Sequence, residues 1–249
     1  MLLAIDIGNT NIVAALCENG NVKDSVRFET TDKRILTFLS SFKKAFIEGV
    51  VISSVVPKID KKIASMVVKL YGIKPFFVSA GIFDGIMGIG LEDKKEVGSD
   101  RLVNAYAAIR LYGKPAIIID FGTATTFCAV DRKGRYLGGA IAPGISISRD
   151  SLHEKTAKLP LVELKIPSVV IGRDTVSAMQ SGILYGYVGI VEGMVKRFKR
   201  VLGKDARVVA TGGLAGKISS KTDIIKTVDP DLTLKGLYML WEQIWKTDR

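Results

Sequence analysis

The sequence predicts an α/β protein of two duplicated lobes, each a mixed β-sheet flanked by helices, with a cleft between them. Three observations carry that expectation: an internal repeat, the order of elements around each copy, and the lack of any linker. The chain opens LLAIDIGNTNIVAALCENGNV and returns to the same shape at AIIIDFGTATTFCAVDRKGRY. Asp6 with Asp120, Gly8 with Gly122 and Gly20 with Gly134 share one offset of 114, whereas Cys17 and Cys128 match loosely at 111.

Leu2 to Asp6, Asn11 to Leu16 and Val22 to Phe28 read as three strands, with turn chemistry at Gly8-Asn9 and Asn19-Gly20-Asn21. Ala116 to Asp120, Thr125 to Val130 and Arg135 to Ile141 repeat the pattern. Each set is an antiparallel meander, unlike the strand-then-helix opening of a dinucleotide-binding unit. Helical patterns and a further apolar strand follow each meander, GVVISSVVP in the first half and RVVATGG in the second. That order describes a mixed sheet covered by helices. No Pro/Gly/Ser-rich tract intervenes, so the boundary is expected in Tyr112-Gly-Lys-Pro115, giving lobes 1–114 and 115–249.

At 249 residues the chain is long enough for two such cores. Its net charge of +11 is spread, with 16 Lys/Arg against 12 Asp/Glu through Lys114 and 20 against 13 beyond. This suits an anionic small ligand, whereas nucleic-acid recognition calls for a clustered basic stripe with stacking aromatics, so no nucleic-acid partner is expected. The densest run, KRFKR from Lys196 to Arg200, reads as a solvated helix face with favourable C-terminal charge. Cys17 and Cys128 follow apolar runs and read as buried thiols in a reducing cytosol. A single histidine, His153, excludes a His-rich metal site. With no basic region before the first apolar residues and no uninterrupted apolar run of about 18 residues, neither a signal peptide nor a membrane span is expected, and the location reads as cytoplasmic.

In DIGNTN, Gly8 lets the main chain approach an anion while Asn9 and Thr10 add an amide and a hydroxyl, the parts of a phosphate cradle. DFGTATT carries the same parts in Asp120, Gly122, Thr123, Thr125 and Thr126. A single Asp-x-Gly-x-Thr is ordinary turn chemistry; two at matching positions point to a polyphosphate held between lobes, with the strand-end carboxylates positioning a cation, Asp6 serving Mg-ATP. In VVATGGLA, Gly212 and Gly213 leave a strand with no side chains to block a flat ligand, which reads as an adenine or ribose shelf or else as a plain turn.

The duplicated plan resembles the ribonuclease H-like lobes of the actin, Hsp70 and sugar kinase superfamily. Within it, DIGNTN, ISSVVP, EVGSDR, VNA, DFGTATT, GGAIAPG, TAKLP, DTVSAMQSGILYGYVG, ATGGLA and DLTLKGLYMLWE, in this order and nearly end to end, resemble the type III pantothenate kinases. The resemblance implies ATP-dependent phosphorylation of pantothenate to 4′-phosphopantothenate, the first step toward coenzyme A, with Mg²⁺ and a monovalent cation, K⁺ or NH₄⁺. EVGSDRLVNAYAAIRLYG reads as a helix with apolar positions Leu102, Tyr106 and Ile109, ended by Gly113. Ser99 or Asp100 would serve as its N-cap on residue chemistry alone. The matching family motif instead implies Asp100 as catalytic base, with Gly98, Ser99, Asp100 and Arg101 at the acceptor. A carboxylate at a helix N-terminus is expected to stay ionised, hence a weak base.

The resemblance further implies that Asp6, Ile7, Gly8, Asn9, Thr10, Asn11, Ile12 and Val13 form the first ATP loop. It puts Thr123 on ATP, the monovalent cation at Asp120, and Thr175 at the pantothenate of a neighbouring subunit in a homodimer. Where the family carries a tyrosine and an Asn-Pro pair, this chain has Leu91-Glu92-Asp93-Lys94, which implies an acceptor wall open to related pantoyl substrates. A non-catalytic nucleotide-binding regulatory protein on the same fold is the alternative, opposed by the presence of Asp100. Gly182, Gly186, Gly189 and Gly193 recur on one face of a long helical run after Asp174, expected to pack on a helix of the same subunit or on a second copy.

Overall fold

The computed structural model describes residues 1–245, without the side chains of Lys43, Lys44 and Trp245. It divides into two compact units. One holds Met1–Leu111 and the C-terminal segment from Asp231; the other is Tyr112–Pro230.

In the first unit, β1 (Leu2–Ile7), β2 (Asn11–Glu18) and β3 (Asn21–Glu29) form the expected meander. The β2–β3 turn is made by Asn19 and Gly20, both at positive φ, 51° and 78°, as a tight hairpin between right-twisted strands requires. After α1 (Ile35–Ser40) and a short 3₁₀ turn, β4 (Gly49–Ser54) lies parallel to β1. α2 (Pro57–Tyr71) starts with proline at its first position and ends at Gly72, whose N–H bonds Val68 O. β5 (Phe76–Phe77) completes a sheet ordered β3-β2-β1-β4-β5. Leu3, Ile5, Ile7 and Ile52 pack with Ile35, Leu39, Ile63 and Val67 of α1 and α2 in one core. Leu2 and Ala4, on the opposite face of β1, are buried as well, as expected of a strand covered on both sides.

α3 (Ser99–Tyr112) ends at Gly113 as expected, but it is not an amphipathic helix with one apolar face. Every residue from Leu102 to Ala108 is buried. The reason is the C-terminal helix, which packs on β1 and β4 and meets α3 so closely that a Cβ on Gly236 would lie 2.7 Å from Val103 Cγ1. At its far end Trp241 covers Gly49, where a Cβ would lie 2.6 Å from Nε1. Residues 231–245 therefore pack with the first unit, unlike the 115–249 lobe expected from the sequence, whose last four residues lie outside the described ones.

The second unit repeats the plan. β6 (Ala116–Phe121), β7 (Ala124–Val130) and β8 (Tyr136–Pro143) form its meander, and α4 (Ile145–Glu154) and α5 (Thr175–Leu202) follow. β9 (Arg207–Thr211) runs parallel to β6, then come α6 (Ala215–Ser219) and β10 (Thr227–Val228). The order β8-β7-β6-β9-β10 matches the first sheet strand for strand. The last helix, α7 (Leu232–Trp245), is the one that returns to the first unit. Asp174 opens α5 with a capping box, its carboxylate accepting from the Ser177 N–H at 2.9 Å. One face of α5, including Ile183, Leu184, Val191 and Val195, packs on Ile117, Ile119 and Phe127.

Candidate active site

Register decides which side chains meet at the ends of the strands. In the first unit Asp6 pairs with Val13 on β2 and with Ser53 on β4, so these three point to one face at the C-terminal edge of the parallel pair. The β1–β2 loop is tight: Gly8 N–H bonds Asn11 O at 2.9 Å, and the Thr30 hydroxyl donates to Gly8 O at 2.6 Å. With those groups held internally, Asn9 and Thr10 are left exposed at the tip. Ile12 is fully buried, so within the expected Asp6–Val13 loop it serves the core.

Ser53 is fully buried, and its hydroxyl lies 3.0 Å from that of Ser99 at the start of α3. Ser99 Oγ also accepts the Ser54 N–H and donates to Ser54 O, both at 3.2 Å. Ser54 in turn donates to Asp60 Oδ1 on α2 at 2.6 Å. Ser99 is thus a rivet between α3 and the end of β4, a part that neither the capping role open to Ser99 or Asp100 nor the acceptor role foresaw. This network was missed because the Ser-Ser pair in ISSVVP reads as no more than the end of an apolar strand.

The rivet fixes Asp100. Its Oδ1 accepts the Arg101 N–H at 2.8 Å, and the carboxylate folds over Gly98, where a Cβ would lie 2.4 Å from Oδ1. Burial pushes the Asp100 carboxyl above its ordinary 3.8, outweighing the opposing Arg101 N–H and guanidinium charge. The helix N-terminus was expected to favour the charged carboxylate; at Asp100 desolvation opposes it and sets the direction of the shift. Leu91 lies half-buried in the connection that leads to this helix.

The second unit builds the equivalent edge differently. Asp120 pairs with Thr126 on β7 and Thr211 on β9. Beyond Thr211 stands Gly212 at φ 90°, where a Cβ would lie 2.6 Å from Asp120 Oδ1 and 2.7 Å from the Phe121 backbone. Only glycine fits there, on conformation and on space alike. Gly213 is exposed, with nothing within 4 Å of a Cβ, so a bare strip of backbone lies beside the Asp120 carboxylate. Thr123 is exposed at the tip of the β6–β7 loop. Gly144, which precedes α4, presses on that loop so tightly that a Cβ would lie 2.0 Å from Thr123 O. The sequence reading missed this buttress, although GGAIAPG carries its glycine. Thr125 is fully buried and its hydroxyl has no hydrogen-bond partner among the described residues.

Thr175 stands apart from its own unit's loop. The Tyr187 hydroxyl donates to Pro143 O, and Pro143 pairs with Ala124 at the loop edge, so Tyr187 marks that edge on α5. Thr175 lies twelve residues earlier, roughly 18 Å further along a helix axis, and is exposed. Three of the four glycines in the α5 stripe, Gly182, Gly186 and Gly189, are exposed with nothing within 4 Å of a Cβ, and Gly193 approaches only Arg197 of its own helix. No helix of its own unit packs on this face among the described residues. His153 is exposed, its Nδ1 2.9 Å from Leu159 O, a local contact in keeping with a structural role.

Among the described residues no three His, Cys, Asp or Glu gather as a metal cage. The carboxylates at the strand ends, Asp6 and Asp120, fit a cation held mainly by nucleotide phosphates with one or two protein oxygens, the usual habit of Mg²⁺. The backbone crowds Asp120 on both sides: a Cβ on Gly122 would lie 3.6 Å from its Oδ1 and one on Gly212 2.6 Å.

A model of the type III pantothenate kinase family matches residues 2–197. Solved structures share the fold at low identity. A candidate Baf family transcriptional activator from Campylobacter jejuni has a TM-score of 0.62 at 14% identity, covering 98% of this chain and 99% of its own. A candidate 2-dehydro-3-deoxygalactonokinase from Sinorhizobium meliloti has 0.56 at 12%, with 98% and 97% covered. Component A of (R)-2-hydroxyglutaryl-CoA dehydratase from Acidaminococcus fermentans has 0.56 at 14%, with 99% and 98% covered.

Proposed function

Because the chain belongs to the type III pantothenate kinase family, whose model spans most of its length, we propose that its two strand-end surfaces divide one phosphoryl transfer between acceptor and nucleotide. The protein is a phosphotransferase of coenzyme A biosynthesis, and pantothenate and ATP are its substrates. The acceptor chemistry belongs to Gly98, Ser99, Asp100 and Arg101. As the primary hydroxyl of pantothenate attacks the γ-phosphorus and the bond to ADP breaks, Asp100 takes the hydroxyl proton. Arg101 pairs with a carboxylate or amide oxygen of the acceptor through its planar donors.

The nucleotide rests on the Asp6–Val13 loop, on Thr123 and on Gly212-Gly213. Mg²⁺ near Asp6 and a monovalent cation at Asp120 neutralise charge on the phosphates when bound. The observation that carries the reading is the raised carboxyl of Asp100, pinned through Ser99 to the same strand edge as Asp6. A carboxylate whose pKa is raised by burial is a stronger base than one at its ordinary value.

The active form is a homodimer whose partner supplies Thr175 to the acceptor site. The outward glycine face of α5 supports this, since each glycine costs about 1 kcal/mol relative to alanine in a helix interior and no described residue of its own unit packs there to offset it. The exposed Val176 and Ile190 on α5 extend the apolar surface. The location is the cytoplasm, in keeping with two buried free cysteines. ADP release with pantothenate, ATP, Mg²⁺ and K⁺ tests the activity, and omission of K⁺ tests the cation. No pantothenate-dependent ADP overturns the reading, and equal rates without any monovalent metal ion overturn the role of Asp120. Gly186→Leu should weaken dimerisation and turnover together, whereas Thr175→Ala should impair pantothenate use in an intact dimer; a fully active monomer in sedimentation would overturn both.

A further inference from the structure

The far end of the second unit carries a basic cavity that phosphoryl transfer does not use. α5 enters β9 from its N-terminal edge, and the segment after α6 returns to that same edge before β10. The phosphate loop and Gly212 lie at the opposite, C-terminal edge. Between the last turns of α5 and the segment before β10 is a cavity of about 930 Å³, lined by Lys196, Lys199, Arg200, Lys204, Thr222 and Ile224. That is the size of a small-molecule site, commonly about 300–1,000 Å³.

Its charges are arranged against their own interest. Lys196, Lys199 and Arg200 fall at i, i+3 and i+4 of one helix, so they share a face and repel. None of the four cations forms an ion pair among the described residues. Two carboxylates also line the cavity, and neither pairs with one of these cations: Glu192 accepts the Thr222 hydroxyl at 2.6 Å, and Asp223 pairs with Lys226 at 3.8 Å. Nearby Arg132 is paired with Asp205 at 2.5 Å, so the neighbourhood does make ion pairs where carboxylates are offered. The C-terminal helix dipole favours Lys199 and Arg200 in the last turn. It acts over that turn only, and Glu192, four residues before Lys196, offsets one charge, which leaves a net excess of cations around the hollow.

We propose that this cavity is a second anion site, separate from the nucleotide site, that takes a compact small molecule bearing two or more phosphates. A nucleic-acid strand suits it less. Strand binding wants aromatic platforms, and the aromatic in the run, Phe198, packs against the core instead.

The test uses full-length protein saturated with a non-hydrolysable ATP analogue and Mg²⁺, titrated calorimetrically with inorganic tripolyphosphate at low ionic strength. Affinity for the analogue is measured first, so that failure of the nucleotide site is seen separately from failure of this one. We expect one further equivalent of tripolyphosphate to bind, at least tenfold more tightly than sulfate. In the variant Lys196→Gln/Lys199→Gln/Lys204→Gln that binding should weaken tenfold or more while analogue affinity and turnover stay unchanged. Absence of saturable binding to the loaded protein, binding indifferent to the triple substitution, or tighter binding of a 20-base-pair DNA duplex would each overturn the proposal. If the cations served only the helix dipole, the triple variant would lose thermal stability and no binding, which also overturns it.

Discussion

The same position in the two units has been put to opposite uses. Ser53 and Thr211 are equivalent, each paired across a parallel ladder with the strand-end aspartate, Asp6 or Asp120. The next residue is Ser54 in one unit and Gly212 in the other. Ser54 lies in a hydroxyl network that fastens α3 to the sheet edge. Gly212 instead lets the chain fold back on Asp120 and leaves Gly213 bare. One backbone plan thereby yields one edge riveted to a helix by hydroxyls and one edge of bare backbone. The difference lies in two residues after an apolar strand rather than in the strands themselves.

The largest expected effect comes from making the open edge resemble the riveted one. Gly212→Ser puts a Cβ into Asp120 and the Phe121 backbone at a φ that side chains rarely adopt. It should cost about 2–4 kcal/mol of stability and weaken nucleotide binding at least a hundredfold, read by thermal melts and calorimetry. Wild-type affinity would mean that this edge does not carry the nucleotide.

Loosening the rivet comes next. Ser99→Ala leaves the buried Ser53 hydroxyl without its partner and should cost about 1–2 kcal/mol. It should lower turnover several-fold with nucleotide affinity unchanged, since Asp100 loses its positioning. Unchanged turnover would show that Asp100 is held without Ser99.

The Asp100 carboxyl also gives a pH prediction. Its pKa is raised on folding, so between the ordinary 3.8 and the raised value the folded state binds more protons than the unfolded one. Stability from this group is complete below 3.8 and lost as pH rises through the raised value. Turnover runs the other way, rising with pH as the base ionises. The acidic limb of kcat should therefore lie above 3.8, and a limb at or below it would contradict the desolvation.

The smallest effect is at Thr125, whose buried hydroxyl has no partner among the described residues. Thr125→Val keeps the shape, removes that hydroxyl and should raise stability by about 1 kcal/mol in denaturant melts. A loss of stability would show that the hydroxyl has a partner in solution.

Much of the fold was legible because its signals are local. The repeated Asp-x-Gly loops, the turn at Asn19-Gly20-Asn21 and the matching apolar runs placed both meanders to within a residue or two. The allegiance of α7 was not legible, because a helix chooses its sheet through distant complementarity, here Gly236 on Val103 and Trp241 on Gly49. At the candidate site, the grouping of Asp120 with Gly212 could be anticipated from two apolar strands ending in small residues. The Ser53–Ser99 rivet could not, since it joins residues 46 apart in sequence through two hydroxyls with no sequence signature. The direction of the Asp100 shift was misjudged for a related reason: a helix terminus is visible in sequence, whereas the depth of burial that overrides it is not.

The division between the two edges is tested most directly by the turnover number of Asp100→Asn, measured on protein whose affinity for the ATP analogue has been determined in the same preparation. The substitution keeps an acceptor for the Arg101 N–H and removes the proton-accepting charge. Turnover should fall by about 10²–10⁴ while analogue affinity stays within twofold and the melting temperature is equal or higher at neutral pH. Near-normal turnover, or a loss of nucleotide affinity equal to the loss of rate, would contradict the assignment of the base to the riveted edge.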